Sequence, residues 1–230
     1  ARYKQEQIFQ EHLIEAVERV QMGPEKKSHK VLEEDKRIVA YHEAGHAVVG
    51  HFLPLCDEVH TVTIVPRGGA GGFTLSLPEK EFDMQSRKKM LQSVSMMLGG
   101  HAAIKIIEDD VYTGAQSDLK RATEIVRTMI TKLGMSDEIG TLYLGNDQEI
   151  FVGMEFGQTR EFSEEMATRV DHEISNVMSR CYEVAMNTLR SNIEKLHGLA
   201  NLLMEKETIN REEFLRFMDV GDIEPLPSTP

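Results

Sequence analysis

Apolar residues recur at helical spacing along nearly the whole 230-residue chain, and between Val59 and Leu77 the period shortens to two. A chain patterned this way closes its core by packing helix on helix, with a small sheet beside them. The expected fold class is therefore mainly α, a helical bundle-like domain with two or three short strands. Residues 5–21 place Ile8, Phe9, His12, Leu13, Ala16 and Val17 at helical spacing, and Gly23-Pro24 ends that helix. A second helix is expected from about 34 to 52, closed by Pro54. Val59, Thr61, Thr63 and Val65 then alternate with His60, Val62 and Ile64, a β-branched run that reads as a strand. The turn RGGAGG leads to a second strand, FTLSL, stopped by Pro78. Helices follow over about 84–107, with a Met-Met-Leu-Gly-Gly step inside, and 116–133, stopped by Gly134. Residues 136–158 read as a loop. Ser163 caps a long helix whose stripe is Met166, Val170, Ile174, Val177, Cys181, Val184 and Leu189. A further helix covers about 191–206, and Asn210 with Glu213 starts a last one as a capping box. The tail EPLPSTP reads as disordered.

On the second helix lies His42-Glu43-Ala44-Gly45-His46. Histidines at i and i+4 leave the same face one turn apart, the spacing at which two ring nitrogens reach one zinc ion. Glu43, beside the first histidine, is placed to touch a water on the metal and take its proton as that water attacks a polarised carbonyl. The pattern thus points to peptide-bond hydrolysis. Ala44, Gly45 and Ala47 are small, which suits close approach of another element better than a solvated face. Gly45 costs helix stability of about 1 kcal/mol against Ala, which asks for a packing or functional reason. A catalytic zinc normally takes three protein ligands and leaves a fourth position open. The third is not a short HxxGxxH continuation: Gly50 falls one place late, and the sixth residue beyond His46 is Phe52. It must come from a distant acid, with Glu108, Asp109, Asp110, Asp118, Glu124 and Asp171 as candidates. Asp118 is the most attractive of these, because it follows a Thr-Gly-Ala turn in the first turn of a helix whose Ala122, Ile125, Met129 and Ile130 look buried.

Composition narrows the alternatives. The chain carries 26 basic and 38 acidic residues, a net charge of -12, and no basic stretch, so nucleic acid is not an expected partner. Two cysteines, Cys56 and Cys181, exclude a disulfide scaffold and Cys-rich zinc modules and read as free thiols. No apolar run is read as a membrane span, and the fragment itself is expected to be soluble. His51 and His60 lie off the face of the motif and read as structural, as do His12, His172 and His197. The 13 methionines read as core packing.

The runs YHEAGHAVVGHFLP, VHTVTIVPRGGAGGFTLSLPE, MLGGHAA, TGAQSDLKRAT and GMSDEIG, in that order, resemble the peptidase domain of FtsH, the membrane-anchored ATP-dependent AAA zinc metalloproteases. The resemblance covers roughly residues 13–218 and implies the following. His42 and His46 match the zinc histidines, Asp118 the third ligand and Glu43 the catalytic glutamate, with one Zn(2+) per subunit. An unfolded substrate chain is expected to add as a strand along the sheet edge around Gly69 to Leu77, through Gly71, Gly72, Phe73 and Thr74. The implied division is 1–22 as the end of a preceding ATPase helical subdomain, 23–36 as linker, 37–219 as zinc metallopeptidase domain and 220–230 as tail. The expected substrates are unfolded polypeptides, including membrane proteins under quality control and short-lived regulators. The expected assembly is a homohexamer, with the parent protein in the cell (inner) membrane and this domain facing the cytoplasm. No GxxxxGK[ST] phosphate loop occurs, so ATP is expected to act only through an ATPase outside this sequence. The chain departs from the family at His101, Ile104 and Lys105, where an Arg and an acidic pair are usual. The competing reading is a catalytically silent, zinc-stabilised oligomerisation module; an intact Glu43 speaks against it, because a structural site needs no base.

Overall fold

The computed structural model describes residues 32–67, 70–78, 84–145 and 162–220, together with helical positions 12, 13, 16, 19 and 20. Most of the helix expected at 5–21, most of the linker at 23–36, Gly69 and the tail beyond Val220 lie outside the described residues.

Helix α1 (Glu33–Phe52) is the central element. Glu33, Glu34 and Asp35 occupy its first turn, where carboxylates suit the positive end of the helix dipole. From Ala40 to Gly50 every residue except His42 is buried, so the helix is enclosed on all sides rather than on one stripe. Its first residues fall within the stretch read as linker, and Lys36 pairs with Glu207 at 3.0 Å, tying them to the domain.

After α1 come β1 (Glu58–Thr63) and β2 (Phe73–Leu77), which pair antiparallel with Val62 opposite Thr74 and Thr63 opposite Phe73. The register shifts between Val59 and Thr61, leaving His60 as a bulge. A third strand, β3 (Thr208–Asn210), pairs with the far edge of β1, giving the order β2-β1-β3. The sheet is therefore the expected small one, with β2 at its edge. The hydroxyls of Thr63 and Thr208 meet at 2.7 Å across the β1–β3 pair.

The expected single helix over 84–107 is two, α2 (Arg87–Met97) and α3 (Gly99–Glu108), broken at Leu98. This stretch also corrects the expectation that no run suits a membrane span: the 22 residues Arg87–Glu108 are long and apolar enough by length and composition. Their apolarity serves the core. Ala102, Ala103 and Ile104 of α3 pack in one cluster with α1, and Val94 and Leu98 pack in another.

Next are a 3₁₀ turn (Thr113–Ala115), α4 (Gln116–Thr131), α5 (Glu164–Ser191), α6 (Ile193–Lys206) and α7 (Arg211–Val220). Ser163 caps α5 by accepting from Met166 N at 3.2 Å. Asn210 and Glu213 form the reciprocal capping box: Glu213 N donates to Asn210 Oδ1 at 3.0 Å, and Asn210 N to Glu213 Oε2 at 3.3 Å. Gly134 stops α4 with a φ of 59°. Two expected core positions are displaced by one residue. On α4 Val126 is buried and Ile125 half-buried; on α5 Ala185 is buried while Val184 is exposed.

One apolar cluster joins α1, α3, α6, α7, the sheet and the C-terminal part of α5 (Ala185, Leu189); the second joins α2, α4 and the preceding turns of α5. Between α1 and α3 the contact is backbone to backbone. A Cβ on Gly45 would stand 2.4 Å from the Gly99 carbonyl oxygen, and one on Gly99 2.7 Å from that of Gly45. Here is the packing reason for a glycine in mid-helix: only hydrogens fit between the two backbones.

Candidate metal centre

The close crossing of α1 and α3 places the faces of His42 and His46 against the start of α3 and the first turn of α4. His42 Nε2 lies 3.1 Å from Asp118 Oδ2, His46 Nε2 3.4 Å from the same oxygen, and the two Nε2 atoms 3.1 Å apart. Their rings stand edge to face, 4.7 Å between centroids at 87°. Four tetrahedral ligand atoms at zinc distances of 2.0–2.1 Å lie about 3.3 Å from one another, so the observed triangle fits a single zinc ion. Among the described residues this is the one group of three or more His, Cys, Asp or Glu that converges on a point.

The other acids weighed as third ligand go elsewhere. Glu108 pairs with Arg37, Asp109 with Lys105 at 2.9 Å and Glu124 with Lys120 at 3.9 Å. Asp110 accepts from the N–H of Val111 at 2.7 Å, and Asp171 is exposed. Asp118 reaches the site because the 3₁₀ turn buries Ala115 and starts α4 beside α1, with Ala122, Val126, Met129 and Ile130 anchoring the helix behind it.

His46 Nδ1 donates to the Met96 carbonyl at 2.8 Å, and Gly100 N lies 3.3 Å from that same nitrogen. In a continuous helix the Met96 carbonyl would accept from Gly100 N. The imidazole is wedged between the two, which is a physical cause of the break at Leu98. The bond also places the proton on Nδ1 and leaves the Nε2 lone pair for a metal. A Cβ on Gly100 would stand 2.5 Å from His42 Cε1 and 2.6 Å from His46 Nε2, so this glycine makes the room in which both rings sit.

Glu43 is buried and its carboxylate stays outside the triangle. Thr74 Oγ1 on β2 donates to Glu43 Oε2 at 2.8 Å and lies 3.2 Å from the Glu43 carbonyl oxygen. Burial raises the Glu43 pKa above the usual carboxylate value, against the opposing pull of His46 and His42. A Cβ on Gly72 would stand 3.1 Å from Glu43 Cγ and 2.6 Å from the Thr63 carbonyl, so the chain entering β2 also passes close to this side chain. Gly71 lies against Val39, and Phe73 is buried.

Burial opposes charge on His46, but its bond to Asp118 and the charges of Glu43 and Asp118 outweigh it and push the pKa up to about 9. Burial works against ionised Asp118 too, yet hydrogen bonds from His42 and His46 hold its carboxyl well below the usual range. Zinc binds neutral imidazole, so uptake at pH 7 must displace the His46 proton. We expect calorimetry in buffers of different ionisation enthalpy to read proton release on zinc binding at pH 7; heats that do not vary with the buffer would contradict it. The stability of the metal-free chain has the matching sign. His46, whose pKa is raised, contributes below pH 6.5, and that contribution is lost as pH rises through about 9. Asp118, whose pKa is lowered, contributes above pH 3.8 and is lost on further acidification. A metal-free melting temperature that does not fall between pH 7 and pH 10 would contradict this.

Three features escaped sequence reasoning: the Met96 carbonyl behind His46, the space kept by Gly100 and the Thr74–Glu43 bond. The Gly-Gly of MLGGHAA was the available signal for the second, while a backbone carbonyl carries no residue-type signature. At the positions read from the sequence as departures from the FtsH pattern, Ile104 is buried and Lys105 bonds Asp109. The His101 ring meets that of Tyr182 edge-on at 5.4 Å, and burial lowers its pKa.

Residues 29–217 match the model of peptidase family M41. The chain is 45% identical over 225 residues to the ATP-dependent zinc metalloprotease FtsH 1 of Thermoanaerobacter sp. (strain X514), covering 97% of this chain and 37% of that protein. It is 45% identical over 219 residues to the ATP-dependent zinc metalloprotease FtsH of Caldicellulosiruptor bescii, covering 95% and 36%. Against the protein of the same name from Thermotoga maritima the identity is 42% over 220 residues, covering 95% and 36%. The chain thus spans about a third of the length of the curated relatives it matches, and the family match extends from before α1 into α7. It belongs to peptidase family M41.

Proposed function

We propose that the chain is a zinc-dependent endopeptidase acting on unfolded polypeptides, with His42, His46 and Asp118 holding the metal and Glu43 as general base. The observation that carries this is the convergence of three ligand atoms beside a buried carboxylate that is not one of them. Bound there, zinc supplies Lewis acidity, polarising a carbonyl and acidifying water. Glu43, its basicity raised by burial, takes a proton from water as the water oxygen bonds to the scissile carbonyl carbon. It then hands that proton to the amide nitrogen as the C–N bond breaks. The Met96 carbonyl keeps the proton of His46 on Nδ1 and its ring in place. A structural site would have no use for a base beside it, so the silent assembly module loses ground.

Substrate is held along β2. This strand lies at the sheet edge, Gly71 and Gly72 lead into it, and Phe73 and Thr74 open it one residue's reach from Glu43. Main-chain pairing there gives affinity whatever the side chains, which suits an enzyme that degrades unfolded chains. By likeness to proteins named ATP-dependent zinc metalloproteases, the whole protein couples this site to ATP hydrolysis elsewhere in its length. We propose further that the whole protein is a membrane-tethered homohexamer acting in membrane-protein quality control and regulator turnover, with its peptidase domain, residues 37–219, on the cytoplasmic side.

The test is removal and return of the metal. Hydrolysis of casein by the zinc-loaded chain stops on chelation and returns with stoichiometric zinc. In Asp118→Ala zinc affinity falls by more than about 100-fold and zinc does not restore activity. Activity insensitive to chelation, or unchanged zinc affinity in Asp118→Ala, would defeat the assignment.

A further inference from the structure

The chain that enters and opens β2 reaches Glu43 from outside its own helix. Positions 72 and 74 are two apart in extended backbone and so share a face. Through that face Gly72 lies against Glu43 Cγ, and the Thr74 hydroxyl bonds its carboxylate at 2.8 Å. Thr74 is half-buried and sits opposite Val62, so its position is set by the β1–β2 ladder. The same residue also lies at the sheet edge that the reading above gives to substrate.

We propose that Thr74 is a positioning residue for the base: its hydroxyl holds Glu43 Oε2 and fixes the carboxylate relative to the strand that aligns the substrate. The proposal rests on the endopeptidase reading and gives the Thr74 side chain to Glu43 rather than to substrate. With Oε2 engaged, Oε1 is the oxygen that takes the proton from water as the new C–O bond forms, and the same oxygen returns it to the leaving nitrogen as the C–N bond breaks. A hydroxyl anchored in a paired strand restricts the carboxylate to one rotamer and spares the reaction the cost of orienting it. Because base and substrate are held by one strand, a shift of β2 moves both together.

The experiment compares Thr74→Val, which keeps the shape and removes the hydroxyl, with Thr74→Ser, which keeps the hydroxyl. In the zinc-loaded chain Thr74→Val lowers kcat on labelled casein by about 10- to 100-fold with KM within about twofold of wild type. Thr74→Ser recovers most of that loss, and both variants bind one zinc as wild type does. Thermal unfolding of the zinc-free chain gives a readout independent of activity: Thr74→Val lowers the melting temperature, and the decrement shrinks when Glu43→Ala is already present. A rise in KM at unchanged kcat would give the hydroxyl to substrate and overturn the proposal. So would Thr74→Ser as poor as Thr74→Val, or decrements that simply add with Glu43→Ala. A wild-type chain no faster than Glu43→Gln overturns the endopeptidase reading and this proposal with it. A fast wild type matched by Thr74→Val overturns this proposal alone.

Discussion

Glu43→Gln leaves zinc stoichiometry at the wild-type value and lowers casein hydrolysis by about 10²- to 10⁴-fold. The amide has the size of the carboxylate, and its carbonyl oxygen can still accept from Thr74, so the packing around it survives. What disappears is the capacity to take a proton. Zinc should stay because Glu43 stands outside the triangle formed by His42, His46 and Asp118. Stability should not fall at pH 7 and should rise slightly in the metal-free chain, since burial raises the Glu43 pKa and a neutral side chain escapes that cost. Loss of function without loss of stability separates a catalytic carboxylate from a structural one. Zinc content, hydrolysis rate and melting temperature of the two proteins decide it; equal rates, or zinc lost together with activity, would sink the assignment.

Gly100→Ala is expected to lower zinc affinity by more than about 100-fold while the chain still folds. The added methyl would lie 2.5–2.6 Å from atoms of both imidazoles, closer than carbon and nitrogen can approach. The rings can swing away, so the clash costs about 1–3 kcal/mol rather than the fold, but the ligand atoms then no longer meet. Gly45→Ala is the instructive contrast: its methyl meets the Gly99 carbonyl at 2.4 Å, where no side chain can yield, so it should unfold the α1–α3 pair. Gly114→Ala is the control, because nothing lies within 4 Å of its methyl. Zinc titration and far-UV circular dichroism of the three variants rank them; full zinc affinity in Gly100→Ala would show that the imidazoles do not need the space it keeps.

How far the site could be read from sequence varied with the kind of interaction. His42 and His46 were legible because helical periodicity alone places i and i+4 on one face. Asp118 was legible as the most attractive of six acids and as the ligand the resemblance implies, but no local pattern shows its approach, which depends on a 3₁₀ turn and on the burial of Ala115 and Val126 behind it. Chain termini of helices were read well where a side chain makes the cap, as at Ser163 and Asn210. The break at Leu98 was not, because its cause is an imidazole from another helix entering between Met96 and Gly100. Strand β3 is three residues long and owes its existence to pairing with β1, so no local pattern announces it.

Periodicity, capping residues and the HEAGH spacing, all local in origin, determined the helical class, the small sheet and the two histidines before any coordinates. Tertiary structure brought the expected Asp118 to those histidines, and it alone decided which carbonyl orients His46 and which hydroxyl holds Glu43. Each of these depends on atoms at least 31 residues apart in the chain brought within hydrogen-bond distance. Such contacts are products of packing, here of two backbones that meet where Gly45 and Gly99 leave nothing between them.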